Sequence, residues 1–158
     1  MKSESEEEYD RYFNAAEMVK PKSDISKDEK WQKAPIVFFD VEVFPNLLVI
    51  CWKYDGTSRE QVVKMINPKP DEVKALLKYR LIGFNNRAYD NHIIYAAMQG
   101  YSNKAIYDIS RGLIDSDKRD AGKQYTFGSA YGLSYADIYD YASVKQSLKK
   151  WEISLGIH

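Results

Sequence analysis

The stretch Ile36-Val37-Phe38-Phe39-Asp40-Val41-Glu42 constrains this chain more than any other. A short apolar run rich in β-branched and aromatic residues reads as a β-strand buried on both faces. It runs straight into two carboxylates spaced two apart, and on a strand Asp40 and Glu42 point to the same face. Two acids on one face at the end of a buried strand repel each other and pay for desolvation unless a cation offsets them. A divalent ion with oxygen ligands, Mg²⁺ or Mn²⁺, is the simplest such cation. The alternative is that the strand ends at Phe39 and both acids are solvated. The spacing leaves both readings open.

The remaining composition narrows the class. A chain of 158 residues, 44% apolar and 29% charged, suits one domain with a hydrophobic core. Its formal net charge is zero, so no global field attracts nucleic acid. Such a partner would be held locally, by metal, aromatic rings and a few basic side chains. The 13 tyrosines suit base stacking, but half-buried packing is their commoner use. A single Cys51 excludes an internal disulfide, and its place in the run from Leu47 to Trp52 reads as a buried thiol. No stretch resembles a signal peptide or approaches the roughly 18 apolar residues of a membrane span. A cytoplasmic protein without a membrane partner is therefore expected.

Residues 1–34 differ from the rest, with an acidic start (Glu4, Glu6, Glu7, Glu8, Asp10) and a basic continuation from Lys20 to Lys33. They read as a charged arm or linker, with a short amphipathic helix over Ser5 to Val19 carried by Tyr9, Phe13 and Ala16. The domain proper is expected over residues 35–158. After the first strand, Pro45-Asn46 marks a turn, Leu47 to Tyr54 a second strand, Asp55-Gly56 another turn and Glu60 to Ile66 a third strand. A helix from Asp71 to Lys78, a strand over Leu81 to Phe84, and helices from Tyr89 and from Asn103 to Leu113 follow. Residues 115–133 read as a long Gly- and Tyr-rich loop, and Tyr135 to Tyr139 as a fifth strand. A last helix begins at the N-cap Ser147, with Leu148, Trp151, Ile153 and Leu155 as its apolar residues. The expected fold is α/β: a mixed five-stranded sheet, made of an antiparallel three-strand meander plus two parallel strands, with helices against it.

A second acid stands just past strand four, in Gly83-Phe84-Asn85-Asn86-Arg87-Ala88-Tyr89-Asp90. If strand four lies parallel beside strand one, Asp90 comes near Asp40 and Glu42, since ligands in such sheets gather at the carboxyl ends of strands. Taken alone, Asp90 reads as a charge favoured by a helix N-terminus. Taken together, Asp40-Val41-Glu42 and Asn86-Arg87-Ala88-Tyr89-Asp90 resemble the first two motifs of the DEDD 3′–5′ proofreading exonucleases, which have a ribonuclease H-like fold. The spacing of about fifty residues between them fits that family. The phrases Phe38 to Asn46, Gly83 to Asn86 and Ser147 to Glu152 look like the exonuclease part of phage or prophage DNA polymerases, and the resemblance covers roughly residues 35–158.

The resemblance implies two-metal hydrolysis at the 3′ end of single-stranded DNA, in a bacterial or phage-infected cell, beside a polymerase domain. It implies two Mg²⁺ or Mn²⁺ ions about 3.5–4 Å apart, with Asp40 bridging both, Glu42 on the ion that carries the attacking water and Asp90 supporting the other. Asn86 and Tyr89 would contact the terminal nucleotide or shape the cleft. Phe44, two residues past Glu42, would stack on a base or join the core. Lys118, Arg119, Lys123 and Tyr125 would follow the strand, or be solvated loop residues. The family's third motif, Tyr or His followed four positions later by Asp, does not occur downstream of Asp90. A fragment of weak or no activity is therefore expected, with Asp137 as a possible substitute ligand. The competing expectation is a non-catalytic ribonuclease H-like module that binds nucleic acid or docks on a polymerase. A lone His92 on a helix reads as packing rather than a ligand.

Overall fold

The computed structural model describes residues 32–115 and 122–156. The expected helix over Ser5 to Val19 and the loop residues Lys118 and Arg119 lie outside these residues. Five strands form one sheet: β1 (Ile36–Phe44), β2 (Leu47–Tyr54), β3 (Val63–Ile66), β4 (Arg80–Gly83) and β5 (Ala136–Asp137). Their order is β3-β2-β1-β4-β5. β1, β2 and β3 pair antiparallel, whereas β4 is parallel to both β1 and β5. This is the mixed α/β sheet expected from the sequence, in a ribonuclease H-like arrangement.

The tight Pro45-Asn46 connection sets the β1–β2 register, with Phe44 opposite Leu47 and, four pairs on, Asp40 opposite Cys51. Along β1, Val37, Phe39 and Val41 are buried, while Asp40 and Glu42 are exposed. Alternation continues through the whole strand, so it does not end at Phe39. Nor is it buried on both faces: Ile36 and Phe38 are only partly covered.

Three helices cover the Val37/Phe39/Val41 face: α1 (Pro70–Leu76), α2 (Asp90–Met98) and α3 (Asn103–Ile114). Val73 and Leu76 of α1, Ile93 and Ile94 of α2, and Ile106 of α3 are essentially inaccessible. α2 is buried round most of its circumference, which a one-faced apolar stripe does not foretell. Its second flank meets the segment Gly128–Gly132, a short 3₁₀ turn. The expected long loop is thus partly ordered by a second 3₁₀ turn, Gly122–Tyr125. At Gly112 an added Cβ would lie 2.2 Å from the Tyr125 ring, so a glycine weak for helix formation is required there by packing.

The fifth strand is much shorter than expected, because the chain turns at Asp137 into α4 (Ile138–Tyr141). The last helix, α5 (Leu148–Ser154), does start at Ser147, whose side chain accepts the Lys150 N–H. Only Trp151 among its expected apolar residues is substantially covered. Leu148, Ile153 and Leu155 are exposed. Among the described residues no helix is long and apolar enough to cross a membrane.

Candidate functional site

The site is built where β4 leaves β1. The two strands pair from Ile36↔Arg80 to Phe38↔Ile82, and then β4 turns away. Arg80 N–H donates to the Pro35 carbonyl, so odd-numbered residues of β1 aim their backbone groups toward β4. Val41 is one of them, but lies past the last β4 partner. Its N–H would be an unmet buried donor, at a cost of about 1–3 kcal/mol. Asp90 supplies the acceptor: Val41 N–H donates to Asp90 Oδ1 at 3.1 Å. The acid of the second motif is thereby fastened to the residue between the two acids of the first.

The connection that delivers Asp90 is tightly specified. Gly83 ends β4, and a Cβ there would fall 2.8 Å from Asn86 Cβ. Asn85 takes a left-handed φ of 56°, a region that Asn tolerates better than most residues. Asn86 is fully buried. Its carbonyl accepts the Asn91 N–H at 2.8 Å, and its Nδ2 donates to Asn91 Oδ1 at 3.1 Å. Asn91 in turn donates to the Ala130 carbonyl and Ser134 Oγ. With no exposed surface, Asn86 holds the connection and offers no face to a nucleotide.

Asp137 is 2% exposed and holds the same connection from the other side. Its Oδ1 accepts the N–H groups of Asn85 at 2.7 Å and Tyr139 at 3.0 Å. Its Oδ2 accepts the Arg87 N–H at 3.0 Å. Both oxygens are committed to backbone donors, so this side chain is a clamp between β5 and the β4–α2 connection. Arg87 adds an ion pair to Asp140.

Electrostatics separate the acids. Asp40 faces solvent, yet packing around its carboxyl raises its pKa through desolvation, and the Val41 amide pulls it partly back. Asp90, 6% exposed, is pushed up to about 7, first by desolvation and then by the negative charge of Asp40. Asp40, the more hydrated of the two, ionises first, and its charge then opposes ionisation of Asp90. The Tyr89 hydroxyl, 2.6 Å from Ser110 Oγ, is raised by burial and, more weakly, by Asp90, Glu42 and Asp40. Cys51 is raised by burial, then by Asp40, with Lys64 opposing and Glu42 adding. Asp40, Glu42 and Asp90 thus share one electrostatic neighbourhood.

The donors are all carboxylate oxygens, the set suited to Mg²⁺ or Mn²⁺. As the side chains stand, no three His, Cys, Asp or Glu among the described residues are drawn together as a metal-holding group. The backbone link from Asp90 to Val41 and the raised Asp90 pKa fit an acid awaiting a cation.

The other expected contacts divide. Phe44 is 48% exposed at the end of the acid-bearing face. Tyr89 is half-buried with its hydroxyl tied to Ser110. Tyr125 packs toward Gly112 and the core, away from the role of following a strand. His92 is fully buried. Its Nδ1 accepts the Phe127 N–H at 3.1 Å, and its ring meets Tyr131 edge-on, which is packing, as expected. Sequence reasoning missed the Asp137 clamp, the Asn86–Asn91 pair and the cross-strand neighbour Cys51. Only the last had a readable signal, since counting back from the Pro45-Asn46 turn gives the register.

Comparison with known proteins found no matching family model, no matching curated protein and no matching solved structure.

Proposed function

We propose that this domain is a metal-dependent 3′–5′ exonuclease acting on single-stranded DNA ends, of the proofreading kind, working beside a polymerase in the cytoplasm. The observation that carries the reading is the Val41 N–H to Asp90 bond, because it ties together two acidic motifs about fifty residues apart. Asp40, Glu42 and Asp90 would hold two Mg²⁺ or Mn²⁺ ions. Such ions supply water activation and stabilisation of the leaving 3′ oxygen. The chain's own residues supply the rest: Val41 orients Asp90, Asn86 and Asp137 fix the connection that carries it, and Phe44 offers a ring to a base.

A non-catalytic ribonuclease H-like module, binding nucleic acid or docking on a polymerase, is the second reading. It is favoured by the engagement of both Asp137 oxygens with backbone amides, which commits that acid to the fold. Incubation with a 5′-labelled single-stranded oligonucleotide and Mn²⁺ separates the two. Stepwise shortening from the 3′ end, lost in Asp40→Ala, supports the enzyme. Metal-dependent retention of an intact strand supports the binding module. Shortening that persists in Asp40→Ala contradicts the proposed active site.

A further inference from the structure

The acid-bearing face of the sheet continues across two more strands. Asp40 lies opposite Cys51, and Cys51 lies opposite Lys64 on β3. In an antiparallel sheet directly paired residues share a face, so Asp40, Cys51 and Lys64 form one row. Strand spacing puts the first and last of them roughly 9.5 Å apart at the backbone. Glu42, Val49 and Ile66 form the next row, with Ile66 65% exposed. The helices α1, α2 and α3 cover the opposite face, while Asp40, Glu42, Lys64 and Ile66 on this one are exposed.

Two lysines stand on this face, and they differ. Lys53 is spoken for, its ammonium donating to the Thr57 carbonyl at 2.7 Å. Lys64 is exposed and makes no hydrogen bond or ion pair among the described residues. Asp40 and Lys64 flank Cys51 from either side in one cross-strand row, so the ammonium and the acids rise from the same face. An acidic site that receives one phosphate through cations repels the rest of the strand unless a positive group meets it nearby.

We propose that Lys64 is a positioning residue that holds a backbone phosphate of the single strand whose 3′ end lies at Asp40 and Glu42. The strand then crosses the sheet over Cys51, with its bases against Ile66 and Phe44. This rests on the nuclease-or-binding reading of the acids and adds a direction for the strand. A lysine on an edge strand also discourages edge-to-edge pairing of sheets, and that role alone leaves nucleic-acid binding untouched.

The test is binding of a short oligothymidylate to the full chain, with Ca²⁺ to limit hydrolysis, over a series of salt concentrations. Removing one lysine–phosphate interaction with a single strand flattens the slope of log K against log salt by about 0.7. Lys64→Ala is expected to show that flattening and several-fold weaker binding at low salt, and Lys64→Arg to restore the slope. Lys74→Ala, on α1 behind the sheet, is expected to leave it unchanged. An unaltered slope in Lys64→Ala, or an equal change in Lys74→Ala, overturns the assignment of Lys64. If wild type binds and Asp40→Ala loses the Ca²⁺ dependence, the reading of the acids stands whichever way Lys64 falls. If wild type does not bind at all, that reading fails and the Lys64 contact with it.

Discussion

Asp90, at the end of the β4–α2 connection, and Asp137, which holds that connection from β5, are two buried acids, 6% and 2% exposed, and they have opposite surroundings. Asp137 accepts three backbone N–H groups, on both oxygens. Asp90 accepts the Val41 N–H on Oδ1 and faces the negative charge of Asp40. Hydrogen bonds to an ionised carboxylate stabilise it, and desolvation with a like charge does the reverse. The first arrangement is how a fold uses a buried acid as a structural clamp. The second leaves negative charge for something else to neutralise. The difference sets Asp90 apart from Asp137 and supports the proposal that Asp90 acts with Asp40 and Glu42.

Removing the clamp is expected to have the largest effect. Asp137→Ala leaves the Asn85, Arg87 and Tyr139 amides without their acceptor, at about 1–3 kcal/mol each when buried. It is expected to lower stability by at least about 3 kcal/mol in urea unfolding. Asp137→Asn retains the Oδ1 bonds and is expected to lose less. If Asp137→Ala is as stable as wild type, the contrast between the two acids collapses.

Asp90→Asn is expected to act in the opposite direction. The folded-state pKa of Asp90 is about 7, above its ordinary value of 3.8. The folded state therefore holds more protons than the unfolded state between those values. The stability contributed by protonated Asp90 is present below about pH 4 and lost as pH rises through 7. Asn keeps the acceptor for Val41 without the charge. It is expected to raise metal-free stability at pH 8, with a ceiling of about 4 kcal/mol at roughly 1.36 kcal/mol per pH unit, and to flatten the pH profile. Thermal melts from about pH 4 to about pH 8 check this. A variant less stable than wild type at the upper end would mean that the buried charge is already compensated.

Gly83→Ala is expected to cost about 1–3 kcal/mol, because its Cβ would press on Asn86 and shift the connection that delivers Asp90. Metal affinity is expected to fall along with stability. A smaller effect is expected at Cys51, the only thiol in the chain. Burial raises its pKa first and the charges of Asp40 and Glu42 add to it, so Mg²⁺ at the acids is expected to offset the charge part and speed its alkylation at mildly alkaline pH by a few-fold. Asp40→Asn is expected to speed it without metal and remove the Mg²⁺ response. No response in wild type would separate the acids from any cation site.

Much of this geometry was legible in the sequence because strand periodicity and turn chemistry are local. The strand over Ile36 to Glu42 with Asp40 and Glu42 on one face, the Pro45-Asn46 turn and the Ser147 cap depend on residues close in the chain. The burial of only the Val37/Phe39/Val41 face depends instead on which helices pack there. The shortness of β5 was not legible, because it follows from Asp137 bonding to residues about fifty positions earlier. The burial of α2 round most of its surface likewise depends on where the Gly128–Gly132 segment packs. The apolar residues of α5 suggested core positions, yet Leu148, Ile153 and Leu155 remain exposed, Leu148 and Leu155 at a groove of about 440 Å³ lined also by Phe38, Phe84 and Trp151. Local pattern identifies an apolar helix but not the surface that covers it.

Asp40, Glu42 and Asp90 are proposed to receive a divalent cation together. Calorimetric titration of the protein with Mn²⁺ at mildly alkaline pH tests it directly. Saturable binding in wild type, abolished in Asp40→Ala and strongly weakened in Asp90→Asn while both variants remain folded, is the expected result. A wild type silent at millimolar Mn²⁺, or variants that bind as wild type does, would contradict it.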